Sequence, residues 1–594
     1  MSARELITEH LDLWTGAVTQ KSTRGRGRSG KVELTGIKRL RELILELAIQ
    51  GKLVIQNPDE EAATTLFSQI VEEKAQLIEK GTIKKPKKLP QIEASEIPFR
   101  IPGSWKFIRL GDAVEIIRGI TFPGSEKSKS PAPGRIACLR TSNVQDKIEF
   151  EDMLFIRSSF VSRKSQYINT HDIVMSMANS RELVGKVAII ETAPEKPTSF
   201  GGFLGVLRPI QIHPRYLMAV LRANSTRNTL IDSSSQTTNI ANISIGKLNP
   251  LVVGLPPREE QHRIVQKVDE LMALCDRLEQ QTSDQLEAHE TLVDALLGTL
   301  TQSKNSAELA GNWARLAAHF DTLFTTEKSI DKLKQTILQL AVMGRLVDQD
   351  AEDEPATSIV SRASRIKAQL LADKLIKKQK ELPGITEAEK PSSIPSHWTY
   401  ARLDDVCTEI TSGSTPPKSE FNEAFGVPYL KVYNIRSQRI NFKYKPQFIT
   451  GEYHQTSLKR SKLLPGDVVM NIVGPPLGKT AVIPADYPEW NCNQAIVRFR
   501  PIEIELNHFI HLYLKAGIFL DTMELIGTAG QDNISVTKSR SIVIPLPPKA
   551  EQHRIVQKVD ELIALCDQLK ERLSQANETR SQLAGAVVEG ALRT

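Results

Sequence analysis

The stretch EQHRIVQKVDEL occupies residues 260–271 and recurs, letter for letter, at 551–562. The identity continues through Ala273, Leu274, Cys275 and Asp276, which return as Ala564, Leu565, Cys566 and Asp567, and both copies follow LPP, at 255–257 and 546–548. A repeat this long constrains the fold before anything else is read, because both copies must meet the same surroundings. Other segments pair in the same order. ILELAIQGKLV (44–54) answers ILQLAVMGRLV (337–347), and IPGSWKFIRLGD (101–112) answers IPSHWTYARLDD (394–405). LRTSNV (139–144) pairs with LKVYNI (430–435), and LVGKVAII (183–190) with PLGKTAVI (476–483). The 594 residues are therefore two homologous halves.

The halves match unevenly. Their helical ends agree closely, while the stretches between Trp105 and Pro256 and between Trp398 and Pro547 agree only at scattered anchors. Drift after duplication spreads differences evenly, so this contrast predicts one doubled scaffold carrying two modules with different targets. The modules read as mixed α/β. Apolar runs at 172–178, 185–191 and 203–209 predict strands, with counterparts at 467–473, 479–484 and 494–501, and a helix follows each set, at 214–231 and 506–525.

Pro256 and Pro257 pre-set the backbone for a helix start, and Glu259 and Glu260 suit its positive end. Ile264, Val268, Leu271, Cys275 and Leu278 then recur at alternating steps of four and three, a heptad seam. The second copy places Ile555, Val559, Leu562, Cys566 and Leu569 alike, and continues to Leu573, Ala576, Leu583 and Val587. Sustained seams call for a partner helix. The favoured expectation is that the two identical seams pack on each other as a rigid spacer of helices roughly 30 residues and about 45 Å long. The alternative packs each helix on its own module.

A net charge of +7 is a mild basic bias compatible with nucleic acid. No apolar run approaches the roughly 18 residues of a membrane span, and MSARELITEHLDLW has no signal-peptide core. Cys138, Cys275, Cys407, Cys492 and Cys566 form no C-x-x-C pair, and Cys275 and Cys566, repeat partners on a helix, read as core thiols in a reducing cytoplasm.

The catalytic look-alikes fail. GPPLGKT (474–480) has three residues, where a phosphate-binding loop has four, between its first Gly and the Gly-Lys pair, and the other half has Val187 where a Thr is needed. A β-turn bearing a Lys explains both copies. PDEEAATTLFSQIVEEK (58–74) fits a nuclease pattern formally, but Glu72 and Lys74 fall in helical periodicity and the second half has Arg365 and Ile366 in place of Glu72 and Glu73. The eleven His include no H-E-x-x-H, and no metal cluster is expected. His262 and His553 read as structural. What remains is a set of polar and basic loop residues suited to phosphates and base edges. In the first module these are Arg118, Arg140, Thr141, Ser142, Asn143, Asn179, Arg181, Lys186, Gln236 and Asn239. In the second they are Ser412, Ser414, Thr415, Lys418, Lys431, Tyr433, Asn434, Arg436, Asn471, Lys479, Gln531 and Asn533. Asn143 and Asn434, shared between the halves, could equally be fold residues. RGRGRSGK (24–31) reads as a flexible basic linker.

The two LPPxxEQHRIVQKVDEL blocks, the two IPxxW…RL segments, the EITSGSTPP stretch (409–417) and the Q…NIS loops resemble the specificity subunit of type I restriction–modification systems (HsdS). The resemblance spans the chain, and the long N-terminal extension with LRELILELAIQGKLV resembles the type IB, EcoA-like branch. The first half departs at IIRGITFPG, which bears on contacts carried over to Thr121. The resemblance implies an α+β fold: two target recognition domains separated by long antiparallel helices in a pseudo-two-fold repeat. The domains implied are a helical region at 1–95, recognition domains at 96–255 and 391–546, a central helical region at 256–390 and a C-terminal one at 547–594. It implies a non-catalytic, cytoplasmic chain that binds double-stranded DNA, two methyltransferase subunits and, through them, two restriction–translocase subunits. AdoMet, ATP and Mg belong to those partners, and no membrane is involved. A stand-alone DNA-binding repressor and a self-contained DNA-modifying enzyme are the alternatives.

Overall fold

A computed structural model describes residues 9–20, 32–232, 235–237, 240–422, 424–474, 476–523, 525–528 and 531–593. Among these, one compact unit comprises 9–20, 32–284 and 577–593, and the other 285–576. The boundaries do not fall between modules and helical regions. They cut through two 45-residue helices, Arg258–Gln302 and Lys549–Arg593. At 1.5 Å per residue each is about 68 Å long, well beyond the expected spacer. Nothing breaks them, since no proline follows Pro257 before Pro355 and none follows Pro548.

Each copy of the seam finds its partners in the core of its own unit, not in the paired-seam arrangement favoured from the heptads. Ile264, Leu271 and Cys275 are buried in the first unit among Ile37, Leu40, Ile44 and Leu47 of the helix Thr35–Ile49, and Ala584 from the end of the last helix joins them. Val268 and Leu278 are half-buried against the same cluster. In the second unit Ile555, Val559 and Cys566 are buried among Ile330, Leu333 and Ile337 of the helix Glu327–Val342, with Val293, Leu297 and Leu300 from the far end of Arg258–Gln302. Leu562 and Leu569 pack half-buried there. Each seam thus finds the repeated ILELAIQ or ILQLAVM helix, whose apolar face is wide enough to take two neighbours. Matching ion pairs fix that contact. Arg41 binds Asp276 at 2.6 Å and Glu279 at 2.7 Å, while Lys334 binds Asp567 and Lys570 binds Asp331 at 2.7 Å.

Within each unit the two long helices run antiparallel. Lys52 donates to the carbonyl of Leu592 at 3.0 Å while Gln56, just beyond, donates to Glu260 at 2.6 Å, so one helix ends where the other begins. Arg345 to the Thr301 carbonyl (2.9 Å) and Gln349 to Glu551 (2.7 Å) repeat the arrangement. Leu583, expected on the seam, is 51 % exposed, and Ala584 is buried in its place. A straight helix of 3.6 residues per turn drifts from a 3.5-residue repeat, which moves the buried stripe by one position.

The polar letters of the repeat are also accounted for. Glu260 and Glu551 are buried, and burial pushes both carboxyls up. Trp398 donates to Glu551 at 2.9 Å. Gln261 and Gln552 donate to the carbonyls of Pro256 and Pro547, at 3.0 and 2.9 Å. Arg263 pairs with Glu60 and Arg554 with Asp353. Glu260, Gln261, Glu551 and Gln552 are buried, and losing the partner of a buried polar group strands it, which constrains these four positions.

Each module is built around a four-stranded antiparallel sheet of the same order. In the first it runs Val114–Arg118, Leu204–Pro209, Ile173–Ser176, Val187–Ile189, and in the second Cys407–Ser412, Ile496–Pro501, Val468–Asn471, Thr480–Val482. A parallel pair accompanies each: Thr198–Phe200 with Arg135–Leu139, and Asn491–Cys492 with Val427–Leu430. The lead-in strand pairs with the lead-out strand, Lys106–Arg109 with Val252–Leu255 and Thr399–Arg402 with Val543–Leu546. At this neck Arg109 is 3 % exposed and forks onto Glu96 with two bonds of 2.7 Å. It also donates to the carbonyls of Pro90 (3.2 Å), Gln91 (2.7 Å) and Pro250 (2.6 Å). Arg402, 3 % exposed, does the same with Glu389 (3.0 Å) and the carbonyls of Pro383 (3.0 Å), Gly384 (3.1 Å) and Ser541 (2.7 Å). Lys74 lies on the helix Ala63–Glu79, as its periodicity indicates, and caps the carbonyl of Gly111, as Lys367 caps Asp404 at 2.5 Å. The nuclease-like residue is a structural lysine.

Replacing Arg402 with Leu leaves three carbonyls without their donor and is expected to cost about 3 kcal/mol in denaturant unfolding. Hydrogen bonding to Arg109 holds the Glu96 carboxyl at about 2 instead of 4.5. The clamp therefore contributes fully above the ordinary carboxylate range and is lost as pH falls toward that lower value, a loss that Glu96→Gln removes from a pH series of melting temperatures.

Candidate nucleic-acid interface

The loop after each parallel strand is folded by a buried asparagine. Asn143 accepts from the Arg140 amide at 2.9 Å and donates to the carbonyls of Glu149 (2.9 Å) and Glu151 (3.0 Å). Asn434 accepts from the Lys431 amide at 2.9 Å and donates to the Tyr444 carbonyl at 2.9 Å. Asn471 is fully buried, accepts from the Lys479 amide at 2.6 Å and donates to the carbonyls of Val473 (3.0 Å) and Pro476 (2.8 Å). The amides of all three are engaged in holding loops, which is the fold reading left open for Asn143 and Asn434; Asn471, expected only among the DNA-facing residues, is engaged in the same way. The Gly-Lys pairs are turns, with Gly185 at φ 76° and Gly478 at φ 78°, and Lys186 donates to Gln145 at 2.6 Å.

In the first module Arg118, Arg140 and Thr141 come together on one cleft of about 480 Å³. Ser142 is exposed beside them, and Arg140 pairs with Asp152. Arg181 is exposed and reaches Asp232 at 3.5 Å, and Asn179 accepts from the amide of Ser180 at 2.9 Å. The strand Ala178–Asn179 is flanked by the ribbon Ser235–Thr237 and Ile240–Asn242. Gln236 lies on that ribbon; its side chain, and Asn239 altogether, fall outside the described residues.

In the second module the sequence singled out part of a larger cluster. Ile435–Arg436 and Arg439–Ile440 form a hairpin whose tip residues Ser437 and Gln438 have φ of 48° and 57°, the left-handed pair of a tight hairpin turn. Gln438 anchors it by accepting from the Thr480 amide at 2.8 Å. Arg436 stacks 4.2 Å from the Tyr444 ring, Tyr433 meets Tyr444 edge-on at 6.1 Å, and Lys431 lies 4.9 Å over Phe421. Arg439, Lys443, Tyr444 and Lys445 are exposed on the same stretch and were missed. RSQRINFKYKP (436–446) carried the signal, cations interleaved with aromatics. Stacking orders the Arg436 fork at low entropic cost, which suits a guanine edge or a phosphate. Ser412 is half-buried at a strand end, Ser414 and Lys418 are exposed, and Thr415 donates to Gln494. Asn533 has a buried Oδ1 without a partner, and the side chain of Gln531 falls outside the described residues.

Among the described residues no group of His, Cys, Asp and Glu is placed to hold a metal ion, and no helix is long and apolar enough to cross a membrane. All five cysteines are buried and unpaired.

Comparison with known proteins places this geometry. The model of the type I restriction modification DNA specificity domain matches residues 102–288 and 395–578, one match over each module and the first part of the helix after it. The specificity subunit of the type I restriction enzyme EcoAI of Escherichia coli is 36 % identical over 100 % of both chains. That of EcoEI, also from Escherichia coli, is 35 % identical over 100 % of both. A solved chain of a type I R-M system covers 85 % of this chain and 99 % of its own, with 19 % identity and a TM-score of 0.45. With both modules matched and full-length relatives on the EcoA-like branch, the chain belongs to the DNA specificity subunits of type I restriction–modification systems.

Proposed function

We propose that this chain reads a bipartite, asymmetric DNA target, one half with each module, and supplies no chemistry of its own. The observation that carries the reading is that one frame, conserved to its buried hydrogen bonds, bears two modules with different exposed loops. The first offers cations around a cleft, the second a basic hairpin braced by aromatics. A frame written twice presents the same surface twice, which suits two copies of one methyltransferase subunit and, through them, two restriction–translocase subunits. AdoMet, ATP and Mg would be held by those partners, in the cytoplasm where the DNA is. The relatives that match throughout are specificity subunits of restriction enzymes, which favours this reading over a stand-alone repressor or a self-contained modifying enzyme.

Co-expression with the neighbouring methyltransferase subunit, followed by mapping of methylated sites, tests it. The expected result is a stable complex that methylates two short sequences separated by a fixed gap of any composition. Methylation of one continuous sequence, or AdoMet binding by the isolated chain, contradicts it. Within that assembly Arg436→Ala is expected to weaken DNA binding by about 1–3 kcal/mol and to relax only the half-site read by the second module. Titration against duplexes altered in one half-site at a time measures both effects.

A further inference from the structure

The two modules can be aligned by their backbone bonds. The Gly119 amide donates to the Leu204 carbonyl at 3.1 Å, as the Gly413 amide donates to Ile496 at 2.9 Å. The next residues repeat the match, Ile120 to the Phe200 carbonyl at 2.9 Å and Ser414 to Cys492 at 3.1 Å. Thr121 therefore stands where Thr415 stands, although the sequences around them differ. In the second module Thr415 is bolted to Gln494. The residue in the place of Gln494 is Gly202, and a Cβ there would lie 3.0 Å from the Thr121 hydroxyl. The missing side chain leaves the 480 Å³ cleft open.

The cleft has a distinct chemistry. Its floor is apolar, from Ile117, Leu139, Met177 and Leu204, and Phe122 and Phe203 line it as well. Phe203 is 68 % exposed. Arg118, Lys127 and Arg140 supply positive charge, and no carboxylate lines the cleft. Among the described residues neither Arg118 nor Lys127 has an ion-pair partner. Arg140 pairs with Asp152 through one nitrogen, but its Nε is buried without an acceptor. Positive charge around an apolar pocket with an exposed aromatic ring selects a ligand that is flat, apolar on its faces and anionic at its edge. The volume lies within the roughly 300–1,000 Å³ of small-ligand sites.

We propose that this cleft receives one unstacked nucleotide of the bound DNA, its base against Phe203 and Phe122 and its phosphates facing Arg118, Lys127 and Arg140. The inference rests on the reading that the first module binds DNA. A base outside the stack is recognised through stacking on aromatic and apolar side chains. Because the second module carries Gln494, bonded to Thr415, where the first has only Gly202, no such nucleotide is expected in the second module, and the two half-sites are expected to be distorted unequally.

The test uses the assembled complex and duplexes carrying its mapped target, with 2-aminopurine at each purine position of both half-sites in turn. This base brightens when it leaves the stack. Apart from the methylated position, one position in the first module's half-site is expected to brighten several-fold, and none in the other half-site. Gly202→Gln, which restores the bolt, and Phe203→Ala, at an exposed position that leaves the core untouched, are each expected to abolish the signal. Absence of a brightened position there, its persistence in both variants, or an equal signal in the second half-site overturns the inference. Failure of the unaltered assembly to bind any sequence specifically would bring down the functional reading itself, and this inference with it.

Discussion

The guanidiniums of Arg109 and Arg402 sit where each module joins its frame, and the rest of the architecture depends on them. Each ties together three pieces of chain: the strap before the module, the lead-in strand and the turn before the lead-out strand. A buried guanidinium tolerates no missing acceptor, because its remaining charge and the stranded carbonyls would both be desolvated without compensation. The ends of each module are thereby clipped to one fixed geometry, and the loops at the far side are free to differ. This is a physical reason for the contrast between a frame held to the letter and modules that share only anchors.

The long helices impose a second constraint. Each begins in one core and ends in another, so neither core is complete with one helix. The start of Arg258–Gln302 and the end of Lys549–Arg593 both lean on Thr35–Ile49, whose residues must fit two neighbours at once. Substitution at Ile264 or Ile555, each fully buried, therefore disturbs a three-sided contact. The Glu-Gln-x-Arg letters of the repeat add buried polar partners to that contact. Apolar packing alone would tolerate Leu for Ile, whereas a buried carboxylate paired with Gln56 or Gln349 tolerates no such exchange.

The doubled frame, the strands at 172–178 and 467–473 and the helical setting of Lys74 were legible in the sequence because periodicity and repetition are local signals. The partner of each seam was not. A heptad states that a helix has a partner without stating which, and the ILELAIQ helix competed successfully with the second copy. The sequence leaves Asn143 and Asn434 open between base reader and fold residue and does not mark Asn471 as a loop holder, because a loop asparagine looks the same whether its amide faces solvent or backbone carbonyls. The hairpin cations Arg439 and Lys445 were overlooked although cations alternating with aromatics marked their stretch. The cleft beside Gly202 could not be read at all, since it consists of a missing side chain and shows only when the modules are aligned by their hydrogen bonds.

The central claim is that two independent readers are clipped onto one frame. Exchange of residues 110–251 for the corresponding segment of a relative with a different target, so that Arg109 and the neck strands are retained, tests it most directly. The account predicts that methylation mapping of the resulting assembly shows a changed first half-site, an unchanged second half-site and an unchanged gap. A simultaneous change in both half-sites would contradict it.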